Sequence, residues 1–138
     1  MPELTPANPV AKNGAILLVD DERQLIELYR EVLSQHFDVD LAGSTEEAGR
    51  LIRQKPYKVI ICDYDMPGGN GLSLLTKLRK EHPQVRRILI TSYMQPEFVR
   101  ALNEADPFHY LLKPIALPTL LKWVVDAAKD FDRHQGGA

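Results

Sequence analysis

A single cysteine, Cys62, leaves no possibility of an internal disulfide framework. No apolar run approaches the roughly 18 residues a membrane-spanning helix needs, and the N-terminus lacks the layout of a secretory signal. A cytoplasmic location is therefore the default expectation. Charge of one sign is not in excess: 17 Lys and Arg against 19 Asp and Glu leave a net charge of -2. Without a global basic field there is no drive to bind nucleic acid or anionic membrane, and any partner is chosen by a local patch. Repeats and low-complexity tracts are also missing. At 138 residues the chain reads as one domain, long enough to bury about two thirds of its unfolded surface without staples.

What is present is an alternation of short apolar runs and helical patterns. Met1 to Gly14, with three prolines and two asparagines, is expected to be a flexible lead-in (1–14). Ala15 to Val19 is an apolar strand that runs into Asp20-Asp21-Glu22, after which Leu25, Leu28, Tyr29, Val32 and Leu33 recur at helical spacing. Phe37 to Leu41 alternates as a second strand, and Ser44 with Glu47 forms a capping box opening a helix through about Gln54. Val59 to Cys62 is unbroken apolar, the pattern of a parallel strand covered on both faces, and it stops at Asp63. Met66-Pro67-Gly68-Gly69-Asn70-Gly71 then forces a long turn. Leu72, Leu75 and Leu78 give a third helix ended by Pro83, and Arg86 to Thr91 a fourth strand. Pro96 opens a fourth helix with Phe98, Val99 and Leu102. Phe108 to Leu112 is a fifth strand stopping at Lys113-Pro114, and a last helix starts near Pro118 with Leu117, Leu120, Leu121, Val124, Val125 and Ala128 on one face. His134 to Ala138 reads as a frayed end. Strands alternating with helices pair in parallel through right-handed crossovers, giving a three-layer α/β/α sandwich.

Polar residues stand at the ends of four strands: Asp20 and Asp21, Asp63, Thr91, and Lys113. In a doubly wound sheet these ends share one edge, so the residues converge on one pocket. Singly, each has an ordinary explanation. An Asp pair before a helix commonly caps it, a lone Thr such as Thr91 can be an ordinary cap, and a Lys is usually a surface charge. Asp63 lies too far before the next helical pattern to cap it. Two like charges about 5 Å apart repel by roughly 3 kcal/mol at an effective dielectric near 20, so three carboxylates together call for a cation. Lys113 offsets one, and an all-oxygen set without His or Cys favours Mg²⁺ over zinc for the rest. Such a cluster with a spare Lys and a hydroxyl suits a phosphoryl group, with Asp63 as the nucleophile.

The motifs Val-Asp-Asp, Asp-Tyr-Asp-Met-Pro-Gly-Gly-Asn-Gly, Ile-Thr-Ser and Leu-Leu-Lys-Pro resemble those of two-component response regulator receiver (CheY-like) domains, over roughly Ala15 to Phe131. The resemblance implies a flavodoxin-like doubly wound sheet of order 2-1-3-4-5, with the receiver core at 15–131 and a flexible tail at 132–138. It implies that Asp63 accepts a phosphoryl group from the phosphohistidine of a sensor histidine kinase or a histidine phosphotransfer protein. Mg²⁺, for which Mn²⁺ can substitute, would be held by the Asp21 and Asp63 carboxylates and the Asp65 backbone carbonyl, with Asp20 acting mostly through water. Thr91 would move toward the phosphate and Tyr110 turn inward with it. Lys113-Pro114 would be cis, and Ser92 small enough to leave the site open. Asp65 and Tyr93 would flank the path of hydrolytic water, Tyr93 restricting it. Glu104-Ala105-Asp106-Pro107 replaces a glycine that the family often has before the fifth strand, which would stiffen the approach to Tyr110.

Trp123 falls about 140° from the centre of the last helix's apolar stripe and is expected to point outward. A lone exposed aromatic is ordinary; alternatively the fourth helix, fifth strand and last helix form a partner or homodimer face that Tyr110 couples to the phosphate. Leu25 and Leu28 are candidates for kinase docking or for core packing. The four histidines are scattered and read as structural or surface groups. Competing functions are an aspartyl-phosphate phosphatase of the haloacid-dehalogenase type and a phosphate-independent interaction module. In the former, the Asp-x-Asp motif ends the first strand, whereas here it ends the third and Pro67 follows. A flavodoxin-like cofactor binder needs a phosphate loop after the first strand, where Asp20-Asp21-Glu22 would repel the ligand. With no further domain after Phe131, the chain is either a stand-alone regulator or a receiver cut from a longer one, acting as a self-phosphorylating switch rather than a turnover enzyme.

Overall fold

The computed structural model describes residues 12–66, 71–92 and 102–136. Five parallel strands form one sheet in the order β2-β1-β3-β4-β5: β1 (Ala15–Val19), β2 (Asp38–Ala42), β3 (Val59–Asp63), β4 (Arg86–Thr91) and β5 (His109–Leu112). The described helices are α1 (Arg23–Leu33), α2 (Thr45–Gln54), α3 (Gly71–Glu81) and a C-terminal α4 (Leu117–Gly136), with a further helical stretch at 102–105. The expected start of a helix at Pro96, with Phe98 and Val99, lies outside the described residues, as do the lead-in through residue 11 and Pro67 to Asn70.

The central strands carry the fold because they bury side chains on both faces. Ile60 and Leu89 join a cluster with Leu72, Leu75 and Leu78 of α3, while Ile61, Ile88 and Ile90 join Ile26, Tyr29 and Leu33 of α1 and Leu120 and Val124 of α4. Alternating residues of one strand thus serve two different helix layers, which is why these runs are apolar without a break. The capping box forms with its return bond one residue early: N-cap Ser44 Oγ accepts the Glu47 N–H at 3.1 Å, and Glu47 Oε1 accepts from the Gly43 N–H at 2.8 Å rather than from that of Ser44.

Three expectations are corrected. The buried stripe of α1 is Ile26, Tyr29 and Leu33, not one containing Leu28, which is 44% exposed. Trp123 does not point outward. It is half-buried and its ring stacks on His109 with centroids 3.6 Å apart, because β5 is an edge strand whose flank the indole covers. The helix expected to give way to a tail at 132 continues to Gly136. Its last turns are held by ion pairs of Asp132 with Lys58 at 2.6 Å and Asp130 with Arg86 at 2.7 Å.

The segment leading to β5 is pinned. Asp106 adopts the left-handed region (φ 44) and donates its N–H to Leu102 O at 2.8 Å, ending the helical stretch where glycine is usual. Arg79 donates to the carbonyls of Asn103 and Glu104, and buried Arg87 to those of Ala105 and Asp106. Among the described residues no helix is long and apolar enough to cross a membrane.

Candidate functional site

Strand register alone gathers the polar strand ends. Val19 pairs with Cys62, Asp63 with Ile90 and Thr91 with Leu112. Asp20, Asp63, Thr91 and Lys113 therefore sit together at the C-terminal edge, where open α/β sheets place ligands. Main-chain bonds tie the loops there: Asp20 N–H to Ala42 O, Tyr64 N–H to Ile90 O at 2.7 Å, and Lys113 N–H to Thr91 O at 2.8 Å.

Asp20, Asp21 and Asp63 each offer an oxygen, all within 4.8 Å of one another. Asp21 is exposed, whereas Asp20 and Asp63 are 5% and 1% exposed. Asp63 Oδ1 accepts the Asp65 N–H at 3.1 Å, and Oδ2 accepts from Lys113 Nζ, also at 3.1 Å. Asp20 Oδ1 accepts the Glu22 N–H at 2.9 Å, but its Oδ2 is buried with no partner among the described residues. Burial, then the charge of Asp63, push the Asp20 carboxyl up to about 6 against the opposing pull of the Glu22 N–H and Lys113. Burial likewise lifts Asp63 above the usual carboxylate range, although the Asp65 amide and Lys113 resist. Burial works against the charge of Lys113, yet the hydrogen bond and charge of Asp63 hold its ammonium above the ordinary lysine range.

These features fit a hard divalent cation. The donors are all carboxylate oxygens, two of the acids are disfavoured as free anions, and Asp20 Oδ2 is buried with no partner among the described residues. Thr91 is fully buried at the end of β4 and Ser92 beside it is exposed. The Lys113-Pro114 bond is cis. Tyr110 faces out, 38% exposed, opposite Leu89. Asp65 Oδ2 is buried without a partner among the described residues; Tyr93 lies outside them.

Sequence reasoning missed two contributors. Gly71, the first residue of α3, lets that helix close on the strand end, since a Cβ there would overlap the Asp63 carbonyl oxygen and stand 2.7 Å from Cys62 Sγ. The signal was available as the last glycine of the turn, but composition does not distinguish a turn glycine from a close-approach glycine. The other is Glu22, whose Oε1 lies 3.5 Å from Lys113 Nζ.

A doubly wound α/β domain with a carboxylate triad and a lysine at its C-terminal edge is the class of protein that fold and site define. A family model for the response regulator receiver domain matches residues 16–125, and the chain belongs to that family of two-component systems. It is 36% identical over 124 residues to the hydrogenase transcriptional regulatory protein HoxA of Cupriavidus necator, covering 89% of this chain and 24% of that protein. With the response regulator protein PilR of Pseudomonas aeruginosa it shares 31% identity over 114 residues, 82% of this chain and 26% of that one. The chain thus spans about a quarter of the length of the curated relatives it matches. Among solved structures, a CheY-like receiver domain protein from Methanospirillum hungatei JF-1 superposes with a TM-score of 0.83 at 23% identity, covering 88% of this chain and 98% of that one. That likeness bears out the fold and the strand order.

Proposed function

We propose that the domain is a phosphorylation switch in which Asp63 takes a phosphoryl group from the phosphohistidine of a sensor histidine kinase or histidine phosphotransfer protein. The observation that carries this reading is the placement of Asp63 between Lys113 at 3.1 Å and the acids Asp20 and Asp21. Asp20, Asp21 and Asp63, with the Asp65 carbonyl, would hold Mg²⁺, which when bound neutralises phosphoryl oxygens. A carboxylate oxygen of Asp63 attacks phosphorus; the P–N bond breaks and the imidazole leaves with its electron pair. Lys113 Nζ donates to a phosphoryl oxygen, and the Thr91 hydroxyl donates to another. Because Lys113 N–H is bonded to Thr91 O, a shift at Thr91 reaches the end of β5 and Tyr110. The face of β5 and α4, with the helix before β5, would then engage an effector or a second copy. Asp65 and Tyr93 would flank the water that later hydrolyses the acyl phosphate. This reading places the domain in the cytoplasm.

Intact mass after incubation with Mg²⁺ and acetyl phosphate tests it. One phosphoryl adduct is expected on the wild type, lost with EDTA and lost in Asp63→Ala; an adduct that persists in Asp63→Ala overturns the assignment.

A further inference from the structure

Glu22 stands at the N-cap of α1, yet its side chain makes no capping bond. Glutamate is not among the favoured N-caps, so helix α1 gives no reason for it. Its carboxylate faces Lys113 instead, with Oε1 3.5 Å from Nζ. Lys113 is 17% exposed and Glu22 62% exposed, so Glu22 meets the ammonium from its solvent side. On its inner side Lys113 meets Asp63, which is 1% exposed. The Lys113 ammonium is therefore shared between a buried acid and a solvent-facing one.

We propose that Glu22 is a positioning residue that holds Lys113 before phosphorylation and slows the entry of anionic donors. The inference rests on Asp63 being the phosphoacceptor. An arriving phosphoryl oxygen shares the Lys113 ammonium with Glu22 and must approach against the Glu22 charge. Because that carboxylate is mostly solvated, the repulsion is close to that in water. For a doubly charged donor about 8 Å away this amounts to roughly threefold to fivefold in rate, and salt screens it. Glu22 thus makes the domain resist small-molecule donors more than it resists a docked donor protein, whose own surface can screen or pair the carboxylate.

The test is the initial rate of adduct formation by intact mass with acetyl phosphate, at Mg²⁺ saturating for each variant. Glu22→Gln is expected to react about threefold to fivefold faster than wild type at low salt, with the difference fading at roughly 0.5 M salt. Glu22→Asp keeps the charge but shortens the reach to Lys113, and should fall between the two. Equal or slower reaction of Glu22→Gln at low salt overturns the proposal, as does a gain that persists in high salt. Failure of the wild type to form any adduct would instead sink the assignment of Asp63.

Discussion

The two edges of the sheet treat charge in opposite ways. At the C-terminal edge Asp20, Asp21 and Asp63 crowd together, and one buried oxygen of Asp20 has no partner among the described residues. At the N-terminal edge the charges are matched. The Arg87 guanidinium donates to Val85 O at 2.9 Å, Pro83 O at 3.3 Å, Ala105 O at 3.1 Å and Asp106 O at 3.0 Å. Lys55 pairs with Asp38 and Asp40 at 3.0 Å each, and Asp40 also accepts the Tyr57 hydroxyl at 2.7 Å. Both edges bound the same apolar sheet, so the difference lies in what each is for. A satisfied edge holds the helices in place; an unsatisfied one stores repulsion that a cation can relieve.

The largest way to break this contrast is to spoil the matched edge. Arg87→Met removes the donor for four carbonyls and should lower stability by about 3 kcal/mol or more in urea unfolding. The unmatched edge should respond in the opposite sense. Asp20 is protonated more readily folded, at about 6 against 3.8. The contribution of Asp20 to the stability of the metal-free protein therefore falls as pH rises from about 4 through about 6 and levels off above. Asp20→Asn should stabilise the metal-free protein at pH 8 by up to about 3 kcal/mol, with the gain vanishing near pH 4 and shrinking when Mg²⁺ is added. Denaturation with and without EDTA across that range reads it.

A change that touches both edges' shared framework is smaller. Gly71→Ala forces α3 away from the Asp63 carbonyl, and should cost about 2 kcal/mol in unfolding and slow adduct formation on Asp63. Smallest is Asp132→Asn at the matched edge, where the partner Lys58 is partly solvated; a loss below about 1 kcal/mol in thermal unfolding is expected.

The strands were legible because a strand buried on both faces must be apolar throughout, as Val59 to Cys62 and Ile88 to Ile90 are. The Ser44 and Glu47 box was legible because its chemistry is local. The stripe of α1 was misjudged by one position, since Leu25, Ile26 and Leu28 are equally apolar and the neighbouring sheet and α4 select which of them is covered. Trp123 was misplaced for a similar reason. Its partner His109 lies on another element, and a helical wheel holds no information about neighbours.

Chain order with the right-handed crossover rule was enough to put Asp20, Asp63, Thr91 and Lys113 on one edge, because strand ends in such a sheet have nowhere else to go. What needed the tertiary structure was how charge is distributed there: which oxygen is orphaned, that Glu22 shares Lys113, and that Gly71 must be bare. Those depend on separations of a few ångströms between residues remote in sequence, and electrostatic energy and steric overlap change steeply over such distances.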